Sequence, residues 1–282
     1  MRFVIYLIVS IVGFIVYVRY LESRTVFLPG IGSSGESPSD MNMDYEEVRL
    51  TTDDGVALYG WFVPAAHDPS GAVTFLFLHG NAGNIYSRVE KIHILHELGG
   101  NVFIVDYRGY GLSEGRPTEN GVYLDAEAAF DALMDRSDID HDRIIIYGVS
   151  LGGAPAAELA LRRSRAAGLV LHSTFTSVGD MAKKIFPIAP RCLVRTQMKT
   201  IDKVGRITIP KLIIHAPGDE VVPYEMGEQL YRAAAEPKQF LRLEGQHNDA
   251  HLLSRDVYQD GVRRFLETYF TAHPDEAQAH AR

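Results

Sequence analysis

Cys192 is the only cysteine among 282 residues, so the chain can form no intrachain disulfide framework and no cysteine-rich metal site. That scarcity does not choose between a reducing and an oxidising compartment. A basic block is also missing: 28 Lys and Arg stand against 36 Asp and Glu, a formal charge of −8. The arginine pairs Arg162-Arg163 and Arg263-Arg264 read as solvated helix faces, and nucleic acid is not an expected partner. No His-x-x-x-His pair or carboxylate cluster falls at ligand spacing, so no metal is expected. Gly109-Tyr110-Gly111 hints at a dinucleotide loop, but the next glycine, Gly115, comes one place late. Arg116-Pro117 then interrupts the point at which a phosphate-binding helix should be running. No cofactor is expected, no internal repeat is visible, and nothing in the sequence specifies an oligomeric state.

Apolar material is plentiful. The hydrophobic content of 46% is ample for one buried core, and the length after any N-terminal anchor suits one large α/β domain. Phe3 to Val18 is uninterrupted, uncharged and closed by Arg2 and Arg19. Its roughly 16 residues reach about 24 Å as a helix, just short of a ~30 Å hydrocarbon core unless Tyr20 and Leu21 extend it and the arginines snorkel. No small-x-small cleavage site follows, because Arg19-Tyr20-Leu21-Glu22-Ser23-Arg24 is bulky and charged. We therefore read residues 1–24 as an uncleaved single-pass anchor in preference to a cleaved signal or a buried helix. The flanking charges balance, so the side on which the rest of the chain lies is not readable. Residues 25–44 read as a linker, rich in Gly and Ser between Gly30 and Asp40. The main domain is expected over 45–272, followed by a flexible tail over 273–282.

Within that domain, Tyr45–Leu50 and Val56–Val63 flank Thr52-Asp53-Asp54-Gly55, a hairpin pattern at a sheet edge. Short apolar runs follow at Val73–Leu78, Val102–Val105, Arg143–Val149, Leu169–Leu171, Lys211–Ile214 and Gln239–Leu243. Most are apolar on both faces, as in a parallel strand covered from two sides. Amphipathic stretches alternate with them at Ser87–Leu98, Thr118–Asp135, Leu151–Arg163, Tyr224–Ala235 and Asp249–Phe270. Strand and helix in alternation predict an α/β class with a mostly parallel central sheet flanked by helices.

Gly148-Val149-Ser150-Leu151-Gly152 lies between the β-branched run Ile144-Ile145-Ile146 and an alanine-rich helical stretch. This has the form of a nucleophile elbow, in which glycines let strand and helix cross closely while the serine hydroxyl stands clear of the sheet. A serine hydroxyl needs a general base, and the base needs a carboxylate to orient it. On such a sheet these partners belong in loops after later strands, acid before histidine. Asp219 follows Lys211–Ile214 and His247 follows Gln239–Leu243, so we assign Ser150, Asp219 and His247 as the catalytic set. Asp180 and Asp202 fall in an apparent insertion, and Glu220 is expected to point away from its neighbour. His79, His172 and His215 end strands and His251 lies in the last helical stretch, which leaves His247 as the base.

Oxyanion donors are expected from the backbone N–H of Leu151 and from the glycine-rich loop His79-Gly80-Asn81-Ala82-Gly83-Asn84. Asn81 is the assigned second donor, with Ala82 the nearest competitor. Tyr107, Phe175 and Met181 are expected on the substrate pocket. Residues 175–208 are long, irregular and broken by Pro187 and Pro190. They form either a cap over the site, suited to an acyl chain, or short helices packed on the core.

These motifs, with Asp106-Tyr107-Arg108-Gly109-Tyr110-Gly111, Ser173-Thr174-Phe175-Thr176-Ser177 and His247-Asn248-Asp249, resemble the α/β-hydrolase superfamily. In particular they resemble membrane-anchored serine hydrolases similar to eukaryotic protein depalmitoylases, together with bacterial relatives described as serine aminopeptidase-like. The resemblance covers nearly everything after the linker and implies an α/β-hydrolase fold with a small cap. It also implies a triad at Ser150, Asp219 and His247. One departure is His172, where similar proteins carry glutamate. Another is the absence of the N-terminal cysteine cluster that tethers the depalmitoylases, so their substrate does not carry over.

The expectation is a membrane-tethered serine hydrolase that cleaves an ester or thioester of a small-molecule or acylated substrate through an acyl-enzyme. A peptidase acting on short peptides is the rival among enzymes, although no buried carboxylate stands out to grip a free amine. A non-catalytic scaffold on a hydrolase fold is the rival outside them.

Overall fold

The computed structural model describes residues 2–163, 165–185 and 195–270. Cys192, the middle of the expected cap and the expected tail over 273–282 lie outside the described residues. The chain opens with helix α1 (Arg2–Thr25), whose 24 residues carry the helix past the end of the apolar run at Val18. Its stretch Arg2–Tyr20 is long and apolar enough to cross a membrane, and none of it is buried against the rest of the chain.

Strands β1 (Glu46–Thr51) and β2 (Ala57–Val63) form the expected antiparallel hairpin, closed by Thr52 N–H donating to the Val56 carbonyl at 2.9 Å. Strands and helices then alternate: β3 (Thr74–Leu78), α2 (Val89–Glu97), β4 (Asn101–Val105), α3 (Glu119–Met134), β5 (Ile144–Val149), α4 (Gly153–Arg162) and β6 (Gly168–His172). After them come α5 (Val178–Ile185), α6 (Ile201–Val204), β7 (Lys211–His215), α7 (Tyr224–Ala233), β8 (Lys238–Arg242), α8 (Ala250–Leu253) and α9 (Arg255–Phe270). The strands make one eight-stranded sheet in the order β1-β2-β4-β3-β5-β6-β7-β8. β2 runs antiparallel to both β1 and β4, and in sheet order the strands from β4 to β8 pair in parallel.

Period-two alternation sends successive residues to opposite faces of the sheet. On β3, Leu76 and Leu78 join a core with α3 and α4, while Phe75 and Phe77 join a second core with α2 and α9. Ile144 and Ile146 divide from Ile145 and Tyr147 in the same way on β5. This two-faced burial is why β3 and β5 are apolar almost throughout. The lone tryptophan, Trp61, is fully buried, edge-on to Tyr45 and Tyr86, with its indole N–H donating to Tyr59 Oη at 3.1 Å.

Two segments differ from the sequence expectation. Asp249–Phe270 is two helices, because the Ser254 hydroxyl turns back to Glu244, donating to its carbonyl at 2.9 Å and accepting its N–H at 2.8 Å. The segment expected as a free linker is docked on the domain. Residues 29–32 bridge the loops after β3 and β4, and Ser37 and Asp40 form a capping box on a short 3₁₀ turn that buries Pro38.

Candidate active site

Parallel strands bring their carboxyl ends to one edge of the sheet, and the loops that leave that edge carry the candidate residues. Ser150 directly follows β5 with φ of 52°, a left-handed backbone unusual for serine, at the turn from strand into α4. Close packing enforces the turn: a Cβ on Gly148 would stand 2.6 Å from the Cβ of Ala156, and one on Gly152 would run into the carbonyl oxygens of Leu78 and His79. The Thr174 hydroxyl, from the loop after β6, donates to the carbonyl of Ser150 at 2.6 Å and ties the elbow to the neighbouring strand end.

His247, in the loop between β8 and α8, places Nε2 3.1 Å from the Ser150 hydroxyl and Nδ1 2.8 Å from Oδ2 of Asp219. A carboxylate accepts, so Nδ1 carries the hydrogen in this contact and Nε2 is left to accept from the serine. The other oxygen of Asp219 accepts N–H groups from Val221 at 3.0 Å and Val222 at 2.7 Å. His215 adds a contact that the sequence did not suggest. Its Nε2 lies 3.0 Å from the Val222 carbonyl, which requires a hydrogen there, and 3.3 Å from Oδ2 of Asp219. Burial alone would raise the Asp219 carboxyl, but hydrogen bonds from His215, His247 and the Val222 backbone outweigh it. The group is held well below the usual carboxylate range.

Glu220, expected to point away from its neighbour Asp219, reaches the histidine loop. Its carboxylate accepts the backbone N–H of His247 at 2.9 Å and so holds the histidine loop from the outside. Sequence position alone could not reveal this contact, which joins the loop after β7 to the loop after β8.

The loop after β3 passes beside the serine: a Cβ on Gly80 would stand 3.5 Å from the Cβ of Ser150. The backbone N–H of Asn81 makes no hydrogen bond among the described residues, while its side-chain oxygen accepts from Tyr110 Oη at 2.9 Å and from Leu28 N–H at 2.8 Å. His79, at the start of this loop, is fully buried, and burial followed by the nearby Arg88 charge lowers it to about 3, so it stays neutral. Its Nδ1 donates to the Gly80 carbonyl at 2.7 Å and its ring packs on Tyr107 and Tyr110.

Tyr107, expected on the pocket wall, has no exposure at all. Its hydroxyl donates to the His79 carbonyl at 3.0 Å, so it braces the loop from within the core. Phe175 is buried in the same core, and Met181 on α5 is half-buried against it. His172 is buried too, with Nδ1 2.7 Å from Tyr147 Oη, which in turn meets Tyr258 Oη at 2.7 Å. Burial, reinforced by the nearby Lys91 charge, pushes His172 well below the ordinary histidine value, so it packs as a neutral ring. A separate cavity of about 340 Å³ lies between α5 and α7, lined by Thr176, Asp180, Lys183, Lys184, Met226 and Gln229. Among the described residues no cluster of His, Cys, Asp and Glu is arranged to hold a metal.

The family model of the alpha/beta hydrolase fold matches residues 73–193. An uncharacterised protein of Mycobacterium tuberculosis is 38% identical over 256 residues, 90% of each chain. The alpha/beta hydrolase domain-containing protein WAV2 of Arabidopsis thaliana is also 38% identical, over 86% of this chain and 85% of its own. The chain belongs to the α/β-hydrolase family. Among solved structures, a Pyrococcus furiosus esterase superposes with a TM-score of 0.72 at 22% identity, covering 86% of this chain and all of the esterase.

Proposed function

We propose that this protein is a membrane-tethered serine hydrolase that cleaves ester or thioester acyl bonds through an acyl-enzyme. The contact chain from Ser150 Oγ to His247 Nε2 at 3.1 Å, and from Nδ1 to Asp219 Oδ2 at 2.8 Å, carries this reading. Both links are within hydrogen-bonding reach, and the loop after β3, whose Gly80 lies beside the serine, adds at Asn81 an N–H with no hydrogen bond among the described residues.

In this mechanism His247 accepts the Ser150 proton as the oxygen attacks the acyl carbonyl. The backbone N–H groups of Asn81 and Leu151 receive the oxyanion, and the imidazolium returns its proton to the leaving group. Water, activated by the same ring, then attacks the acyl-enzyme and releases the acid. Asp219 stays ionised throughout and stabilises the imidazolium. Residues 175–208 would cap the site, and α1 would tether it to a bilayer. No metal or cofactor enters the scheme.

A fluorophosphonate should label the full-length protein in detergent and leave folded Ser150→Ala unlabelled; labelling of that variant would reject the assignment. A panel of p-nitrophenyl esters graded by chain length, run beside aminoacyl amides, separates esterase from peptidase.

A further inference from the structure

The chain that leaves α1 runs straight to the loop that carries Asn81. In the last turns of α1, Glu22 accepts backbone N–H groups from Arg195 at 3.1 Å and Thr196 at 2.6 Å. Val26 and Phe27 are half-buried against the core shared by β3 and β5. Leu28 then donates its N–H to the side-chain oxygen of Asn81 at 2.8 Å. Gly30 donates to the Gly83 carbonyl at 2.8 Å and accepts from Gly111 at 2.8 Å, and Gly32 donates back to the Gly111 carbonyl at 3.0 Å. The side-chain amide of Asn84 donates to the Gly32 carbonyl at 3.0 Å. Residues 28–32 are thus wedged as a strap between the loop after β3 and the loop after β4, bonded to both.

We propose that this strap is a positioning element for the oxyanion hole, so that the Asn81 N–H is aimed at the site only while the chain following α1 is seated. The inference rests on the serine-hydrolase reading for its catalytic consequence. The loop has little stiffness of its own, with glycines at 80 and 83 on either side of Asn81. The Asn81 carboxamide is fixed by two donors, one from buried Tyr110 and one from the strap. The strap also occupies the outer side of Gly83, where a Cβ on Gly30 would stand 2.9 Å from the Gly83 Cα. An oxyanion donor contributes through pre-set geometry, and misplacing it by about 1 Å can cost up to a hundredfold in rate. Leu28 and Gly30 touch no reacting atom, so they act through Asn81.

The test uses the full-length protein in detergent micelles with three variants. Leu28→Pro removes the donated N–H, Gly30→Val pries the strap from Gly83, and Leu28→Ala conservatively retains the N–H. For Leu28→Pro and Gly30→Val we expect kcat on a p-nitrophenyl ester to fall by about 10- to 100-fold with KM within about twofold. Leu28→Ala should recover most of the wild-type kcat. Hydrogen exchange of the amides over residues 80–84 should quicken in the first two variants, while exchange in β3 and β5 stays as in wild type. Unchanged exchange over 80–84 overturns the proposal, as does a kcat loss shared equally by Leu28→Ala. If the wild type shows no Ser150-dependent turnover, the hydrolase reading fails, and the exchange measurement still decides whether the strap holds the loop.

Discussion

The hydroxyl of Thr174 donates to the main-chain carbonyl of Ser150 at 2.6 Å, joining the end of β6 to the elbow after β5. Ser150 has a left-handed backbone, and Thr174 is one of the groups that hold it there; the N–H of Gly153 also reaches the same carbonyl. Thr174→Val keeps the side-chain shape and deletes the donor. We expect stability to fall by about 0.5–1.5 kcal/mol, the usual net value of one such bond. The loss in kcat should exceed anything seen in KM, because the serine oxygen moves relative to His247. Thr174→Ser should restore both, and denaturant melts with steady-state kinetics would show it.

Asp219 gives a signed pH dependence. Its folded carboxyl lies below the ordinary value, because hydrogen bonds from His215, His247 and Val222 outweigh the opposing effect of burial. The unfolded chain therefore takes up the proton first as the solution is acidified. The stabilisation is complete above about pH 4, the usual carboxylate range, and is lost as pH falls toward the lower folded value. Unfolding of wild type and Asp219→Asn at a series of pH values should show a gap that is constant near neutrality and narrows below about pH 4. Activity responds more sharply, with kcat in Asp219→Asn reduced by about 10⁴-fold, since an amide can present its N–H and favour the wrong imidazole tautomer.

All eight strands were legible to within one residue at either end: burial on two faces writes the inner strands as short β-branched and aromatic runs, and the Asp54-Gly55 turn marks the edge hairpin. The order of Ser150, Asp219 and His247 was legible for a related reason: loops after successive parallel strands must meet at one sheet edge. What escaped is side-chain direction. Tyr107 follows β4 as a pocket residue should, yet its ring turns inward under His79. Glu220 neighbours Asp219, yet reaches His247 across 27 positions of sequence. The docking of residues 29–32 was hidden by composition, since a Gly/Ser-rich stretch reads as a spacer whether or not its backbone is paired.

Arg108 supplies the strongest stability prediction away from the serine. Its Nε meets Oδ1 of the fully buried Asp125 at 2.8 Å, and its terminal nitrogens hold Asp54 at 2.7 and 2.9 Å. The two carboxylates respond differently. Burial raises Asp125 to about 6 despite the guanidinium, whereas hydrogen bonds from Arg108 and then Thr52 hold the more open Asp54 far below its usual value. Removing the cation strands a charge that is already poorly solvated. Arg108→Ala should cost about 3–5 kcal/mol, the range for breaking one side of a buried pair. Asp54→Ala, at the half-exposed end, should cost under about 1 kcal/mol. Equal losses in the two variants, measured by chemical denaturation near neutral pH, would contradict this ranking.

Chain length leads to a prediction about substrate presentation. Leu28 follows Thr25 by three residues, a span of at most about 10 Å, and is bonded directly to Asn81 beside Ser150. If α1 lies in a bilayer, the serine loop is held close to the lipid surface whichever side it faces. An acyl ester dissolved in that bilayer then meets the site at a high effective concentration, while a short water-soluble ester gains nothing. Reconstitution into phosphatidylcholine vesicles should therefore raise the rate on p-nitrophenyl palmitate relative to p-nitrophenyl butyrate, compared with the same protein in detergent. The gain should be about tenfold or more, against effective concentrations in the millimolar range for short tethers. Replacing Ile8, Ile11 and Ile15 of α1 with lysine should abolish the gain and leave butyrate turnover intact. A palmitate-to-butyrate ratio that does not change on reconstitution would separate the site from the membrane surface.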